Sequence, residues 1–390
     1  MKATPLRTHP AARCRPLMRV LMVSTSYPRD ASDWRGIFMA YLAGALARAD
    51  QVQLALWAPP GELHACAAFA TSPREADWLS GLMARGGISH WMRTQPLAGL
   101  AAAWRLLRLL RAAYRRLTDV DIYHINWLQC ALPLPDNGKP ALITVLGNDM
   151  KLLRLPLMRA ALRRAMRGRK VAICPNARWM DAPLRAAFGD VATVIPVVFG
   201  IDPLWYAIER DIRAGEPRRW LAVTRLTANK LGPLFEWSEP LFRDGARELH
   251  LFGPMQENIA VPAWVHYHGS ATPEQLAGEW FPRAHGLVTL SRHAEGRPQV
   301  MLEAMAAGLP IVASRMPAHA DIVADGVTGA LCDSAAAYAD ALRALEDIGT
   351  NRRFGAAARA WAAREIGTWD DCAGRYVDIY RRLLGRDADA

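Results

Sequence analysis

Short apolar runs recur along the first half of the chain, each separated from the next by turn residues or a helix-period segment. Arg19–Ser24, Val52–Trp57, Asp121–Ile125, Ala141–Val145 and Val171–Cys174 are rich in Val, Ile, Leu and Ala and read as buried strands. Helical periodicity intervenes over about Phe38–Ala49, over Ala98–Leu117 and from about Leu152 to Lys170. The alternation then starts again, with strands at Trp220–Thr224, Glu248–Phe252, Val265–His268, Gly286–Leu290 and Pro310–Ala313. Three helical segments close the chain, the last from about Trp369 to Leu384. Strands without a polar face are covered on both sides, so the pattern predicts an α/β protein with doubly wound parallel sheets.

A chain of 390 residues exceeds the usual size of one core, and the repeated pattern divides it into two domains. The expected division is a disordered leader over 1–17, a first domain over 18–205, a second over 206–367 and a final helix over 368–385. The linker falls at the Gly200–Pro203 turn or at Arg213–Arg219, where Gly215 and Pro217 interrupt the pattern. Hydrophobic residues make up 52% and charged residues 22%, enough apolar material for both cores. No apolar run reaches the roughly 18 residues that span a bilayer, and Met1–Pro16 lacks the apolar segment of a signal peptide. The six cysteines are scattered without a Cys-x-x-Cys pair, which suggests a reducing, cytoplasmic setting rather than zinc or disulfides.

Charge is uneven. Residues 1–200 carry 27 Lys and Arg against 12 Asp and Glu, net +15; the rest carry 21 against 25, net −4. Part of the excess sits on two helical segments. Arg105, Arg108, Arg111 and Arg115 share one face of the first, and Arg159, Arg163 and Arg167 one face of the second. Basic amphipathic helices attract anionic membranes, and packing of the leucine face on the sheet leaves the arginine face free to do so. Nothing resembles a nucleic-acid-reading motif.

The chemistry concentrates in Glu295-Gly-Arg-Pro-Gln-Val-Met-Leu-Glu303-Ala-Met-Ala-Ala-Gly-Leu-Pro-Ile-Val-Ala-Ser314. Pro298 suits a first helical turn, Val300–Ala307 are mostly helix formers, Gly308 ends the helix and Pro310–Ser314 reads as a strand. Glu295 then lies on the loop entering the helix and Glu303 inside it. Free N–H groups of the loop and first turn form a seat for phosphate oxygens. Two carboxylates beside that seat suit hydroxyls, such as those of a ribose and a hexose. An ordinary βα unit with two solvent-facing glutamates would not need Ser291, the Glu-Ala-Met-Ala run and Gly308-Leu-Pro310 together. Upstream, Arg225 and Lys230 stand five residues apart in the loop leaving the strand at Trp220. In isolation they would read as surface cations.

This string resembles the C-terminal signature of the family-4 retaining glycosyltransferases, the group 1 glycosyl transferases. The resemblance covers most of the chain and is densest over Trp220–Leu331. It implies a GT-B fold, two Rossmann-like domains facing across a cleft, with the final helix crossing back onto the first domain. It implies an acceptor-side first domain and a nucleotide-sugar-binding second domain. Glu295 and Gly296 would meet the donor sugar, Glu303 the ribose, and Arg225 with Lys230 the diphosphate. Gly36, ahead of Phe38 at the mouth of a helix, would let backbone approach the donor. His124, in Asp121-Ile-Tyr-His124, matches the Asp-x-x-His strand of the family and joins the candidate catalytic set with Glu295 and Asp149. Two departures stand out. Lys230-Leu-Gly232 replaces the usual Lys-Gly, and Leu146 replaces a His assigned to the reaction centre, leaving Asn148 and Asp149 as its nearest polar neighbours. Asp119-Val-Asp121 has Asp-x-Asp spacing but opens a strand instead of following one, so no metal site is expected there.

Together these features predict a cytoplasmic, metal-independent retaining transferase without a cofactor. It would move a hexose from a nucleotide-diphosphate sugar to a glycan or polyprenyl-linked acceptor, in cell-surface polysaccharide biosynthesis, with peripheral contact to the inner membrane face. The alternative is a catalytically inactive GT-B protein that binds nucleotide sugar or serves as a scaffold.

Overall fold

The computed structural model describes residues 17–30, 33, 35–213, 217–293 and 295–386. The expected leader over Met1–Pro16 and the centre of the Arg213–Arg219 stretch lie outside the described residues.

The first sheet comprises β1 (Met18–Val23), β2 (Val52–Trp57), β3 (Ala67–Phe69), β4 (Ile122–Asn126), β5 (Ala141–Val145), β6 (Val171–Pro175) and β7 (Thr193–Val194). Its helices are α1 (Ile37–Arg48), α2 (Pro73–Ala84), α3 (Gly87–Thr94), α4 (Pro96–Arg116), α5 (Asp149–Leu152), α6 (Met158–Met166) and α7 (Asp181–Phe188). The second sheet holds β8 (Arg218–Val223), β9 (Arg247–Phe252), β10 (Val265–Tyr267), β11 (Gly286–Thr289), β12 (Ile311–Ser314) and β13 (Gly329–Cys332). Around it lie α8 (Pro203–Tyr206), α9 (Ala228–Leu231), α10 (Leu234–Phe242), α11 (Pro273–Gln275), α12 (Gln299–Ala306), α13 (Pro317–Ala320), α14 (Ala335–Glu346) and α15 (Ile348–Glu365). The last helix is α16 (Trp369–Leu384).

All pairings within both sheets are parallel. The strand orders are β3-β2-β1-β4-β5-β6-β7 and β10-β9-β8-β11-β12-β13. Each order reverses once, at β1/β4 and at β8/β11, and the loops leaving such strands form the crevice where open α/β sheets bind ligands.

Each sheet is covered by two cores. In the first domain, one face packs α1 and α16, with Met39, Leu42, Trp369, Tyr376 and Tyr380 buried together. Its other face buries Leu106, Leu110 and Tyr114 of α4 and Leu162 and Met166 of α6. The second domain buries Met301, Leu302 and Met305 of α12 on one face and Phe242 and Tyr338 on the other.

Three strands escape the periodicity. Ala67–Phe69 and Thr193–Val194 are edge strands of three and two residues, and Gly329–Cys332 begins with two of the smallest residues, so none carries a β-rich run. The helix expected over Leu152–Lys170 is broken instead. Pro156 removes a backbone donor, and Leu157 takes left-handed φ 62 at the cap of α6. Pro298 is the cap of α12, not its first helical residue, with ψ 115.

Two strands of chain pass between the domains side by side. Ile201 N–H donates to Gly367 O at 3.1 Å, and Ile201 bridges Thr368. Any Cβ on Gly200 would lie 2.3 Å from Thr368 O, so the crossing needs glycine there.

Candidate active site

The C-terminal ends of both sheets face one another, and the loops beyond β8 and β11 form one wall of the cleft. After β8, Thr227 accepts from Lys230 N–H at 3.2 Å and starts α9, which fixes the lysine over the sheet end. Gly232 follows at φ +56, where a Cβ would stand 2.0 Å from Leu290 O. The residue after the lysine is therefore Leu231, buried in the core, and the glycine one position later provides the close approach to β11.

Glu295 lies on the loop into α12. Its Oε1 accepts from Lys230 Nζ and, at 3.4 Å, from Ser291 Oγ. Both side chains of the Lys230–Glu295 pair are mostly shielded, 13% and 15% exposed. Burial lowers the lysine pKa, and the adjoining glutamate pulls it back up. Arg225 is part-buried in the same loop, 3.5 Å from Gln256 Oε1, and burial also lowers its pKa against the attraction of Glu295. Arg225 and Lys230 thus meet Glu295, 65 positions beyond the lysine, as two cations acting on one carboxylate.

Glu303 occupies the inner side of α12. Burial pushes its carboxyl up to about 8, and Asp202 adds to the shift. Tyr41 of α1 faces the same two carboxylates and is raised to about 12, chiefly by its own burial. Glu303 thus shares an acidic spot with Asp202, which lies next to the interdomain crossing.

The opposite wall comes from the first domain. An added Cβ on Gly147, just beyond β5, would meet Gly296 N at 2.2 Å, and one on Gly296 would meet Asn176 Oδ1 at 2.7 Å. Trp179 Nε1 donates to Gly296 O at 3.0 Å. Gly296 is thus where the domains touch. Gly36 caps α1 at φ 76, packed over Ser26 at the end of the β1 loop.

Two expected catalytic residues stand elsewhere, and both are corrections. His124 is 0% exposed. Its Nδ1 pairs with Tyr380 OH at 2.5 Å and its Nε2 with Thr144 Oγ1 at 2.9 Å. Burial holds its pKa down to about 3, so the ring is neutral and ties β4 to α16. Its address on a strand was read correctly, but β4 is central and α16 covers that face. Asp149 is also buried, accepting Leu128 N–H at 3.1 Å and Leu146 N–H at 2.7 Å. It braces the β5 loop from below, and burial raises it to about 7 against those two bonds. Leu146 is part-buried and packs with the core beneath α16. Asp121 is ion-paired with Arg19 at 2.9 Å at the far end of the sheet.

Asn176, Trp179 and Asp202 join the cleft without having been singled out as site residues, and Ser291 joins it from the motif itself. Asn176 directly follows β6 and Ser291 stands two residues beyond β11, so the strand-end rule was the available signal. Asn176 Oδ1 is buried without a partner among the described residues. Among the described residues no group of three His, Cys, Asp or Glu side chains converges as a metal site.

Two facing parallel-sheet domains with this loop-lined cleft define the GT-B architecture. The family model for Glycosyl transferases group 1 matches residues 220–347, most of the second domain. A D-inositol 3-phosphate glycosyltransferase of Xylanimonas cellulosilytica is 38% identical over 125 residues, 31% of this chain and 29% of that protein. The chain thus aligns with under a third of such relatives. A GDP-mannose-dependent alpha-(1-6)-phosphatidylinositol monomannoside mannosyltransferase of Mycobacterium tuberculosis is 24% identical over 408 residues, 94% of this chain and 98% of that one. Among solved structures, a sucrose-phosphate synthase from Thermosynechococcus elongatus superposes with TM-score 0.69 at 18% identity, covering 94% and 99% of the two chains. Anabaena HepE in complex with UDP and glucose gives 0.61 at 13% identity, covering 93% and 99%.

Proposed function

We propose that this protein is a retaining glycosyltransferase that moves a hexose from a nucleotide-diphosphate sugar to a glycan or polyprenyl-linked acceptor in cell-surface polysaccharide biosynthesis. The observation that carries the reading is the Lys230–Glu295 pair beside Arg225, facing the first domain across the cleft. Transfer from such a donor builds negative charge on the departing diphosphate. Fixed cations in a shielded site stabilise it more than water does. In this reading Lys230 and Arg225 take that role, Glu295 meets the sugar hydroxyls, and Glu303 meets the ribose.

Retention follows most simply from front-face attack. The acceptor hydroxyl approaches on the side the diphosphate leaves, a C–O bond to the acceptor forms as the C–O bond to phosphate breaks, and the departing phosphate oxygen takes the proton. That scheme needs no protein base, which accommodates Leu146 and the burial of His124 and Asp149. The protein positions both reactants and stabilises charge. Relatives named for an inositol phosphate and a phosphatidylinositol mannoside acceptor support an acceptor of amphiphilic or phosphorylated character.

The test is calorimetry against UDP, GDP and ADP with EDTA present. One nucleotide is expected to bind, and binding is expected to vanish in Arg225→Ala and Lys230→Ala. If none of the three binds, the metal-independent transferase reading fails. Leu146, an apolar side chain where relatives place a histidine, favours the inactive scaffold as the second reading. A Glu295→Ala variant separates the two, because a scaffold retains its role and a transferase loses turnover.

A further inference from the structure

The helical hairpin α3–α4 is built unlike the rest of the surface. Gly87–Leu117 contains six arginines and no Asp or Glu, and Lys151–Lys170 contains eight cations and no acid. Along α4 the exposed stripe is divided by chemistry. Its first half presents Leu97, Leu100 and Trp104, with Leu97 83% and Trp104 61% exposed. Its second half presents Arg105, Arg108, Arg111 and Arg115, none of which has a carboxylate partner among the described residues. Arg108 stacks over Trp104 at 4.6 Å, joining the two halves.

Position sharpens the contrast. The 21 residues of α4 extend about 31 Å, whereas five or six residues of strand reach roughly 20 Å. The helix enters β4 at the end remote from the cleft, so its apolar first turns and α3 stand past the sheet at the cleft rim. Arg93 of α3 acts electrostatically on Arg225, and Lys151 of α5 acts on His293, both across the cleft. Leu155 and Leu157 lie on the loop between α5 and α6, which follows the cleft-side end of β5. Leu157 is 84% exposed although its backbone is held at φ 62, a conformation that leucine adopts at a cost and from which the fold gains no packing.

We infer that this rim, Leu97, Leu100, Trp104 and Leu157 with the arginine stripe of α4, is a docking edge for an anionic phospholipid bilayer that sets the cleft mouth against the membrane. The leucines and the indole enter the headgroup–acyl boundary while the arginines pair with headgroup phosphates, as an in-plane amphipathic helix does. Charge complementarity selects the occupant: a stripe without acids repels a second copy of itself and matches an anionic leaflet. Docking deepens the transferase reading and rests on it for one consequence, that the acceptor is drawn straight from the bilayer into the cleft.

The test is sedimentation of the full chain with phosphatidylcholine vesicles prepared with and without phosphatidylglycerol, at low and high salt. Binding is expected only with phosphatidylglycerol and is expected to weaken with salt. Arg108→Gln and Arg111→Gln are each expected to lower the partition coefficient about fivefold. The Leu97→Gln/Leu157→Gln variant, altered at exposed sites, is expected to lower it at least tenfold while keeping nucleotide binding. Failure to bind phosphatidylglycerol vesicles at low salt, or unchanged binding by the leucine variant, overturns the inference. So does a wild-type dimer that the leucine variant abolishes, which would give the rim to a second copy. Calorimetry with UDP, GDP and ADP on the same samples tells loss of docking from failure of the transferase reading.

Discussion

At the residue scale, burial decides what each ionisable group does. His124 keeps its neutral ring because protonation would place a charge among Tyr380, Tyr376 and Thr144. Its folded pKa of about 3 lies below the ordinary 6.5, so only the unfolded chain takes up its proton between those values. Stability from this group is complete above about 6.5 and falls as pH drops toward 3. Replacing His124 with Asn is expected to flatten that decline by about 1.4 kcal/mol per pH unit, measured by urea titration at several pH values. The same variant is expected to leave nucleotide affinity unchanged, because the ring never reaches the cleft. Glu303 runs the other way. Its folded pKa of about 8 exceeds its ordinary 4.5, so the unfolded carboxyl ionises first and stability falls as pH rises through that interval. Glu303→Gln is expected to remove this group's share of the decline, read as a smaller loss of urea midpoint from pH 5 to pH 8 than in the wild type. Hydroxyl bonds from a ribose favour the carboxylate, so nucleotide binding to the wild type near pH 7 is expected to release a proton. Calorimetry in buffers of different ionisation enthalpy measures it, and Glu303→Gln is expected to lose the release.

At the element scale, the glycines mark where backbones meet. Gly147 and Gly296 bring the β5 and β11 loops into direct apposition across the cleft. Gly147→Ala places a methyl inside that contact while leaving each sheet intact. The expected outcome is a larger radius of gyration in solution scattering, a loss of turnover of at least tenfold, and nucleotide affinity within about twofold of wild type. Such sensitivity follows because misplacing reactants by about 1 Å costs on the order of a hundredfold in rate. Motif and geometry agree unevenly at this scale. The Glu295-to-Glu303 spacing announced a loop and a helix, both present. It did not announce that Gly296 would be covered by Asn176 and Trp179, since those belong to another domain. Nor did the helical periodicity read over Leu152–Lys170 reveal the break ahead of α6, where Pro156 removes a backbone donor and Leu157 turns left-handed.

At the scale of the whole molecule, α16 is a structural clasp as much as a tail. Trp369, Tyr376 and Tyr380 fill the face of the first sheet that α1 leaves open, and Arg375 bonds the backbone of Val198 and Ile366. A chain ending at Gly367 is expected to expose that face and to lose soluble expression. The milder Tyr376→Ala is expected to cost about 3–5 kcal/mol, measured by urea denaturation. The sequence by itself determined the two parallel sheets, most strand positions and the grouping of Arg225, Lys230 and Glu295, because apolar period and loop chemistry are local properties. Only the tertiary structure decided that Lys230 pairs with Glu295, that Glu303 shares its surroundings with Asp202, and that His124 and Asp149 are interior braces. Those outcomes depend on burial and on which strand ends converge. Both are set by packing between segments tens to hundreds of residues apart, which no local pattern records.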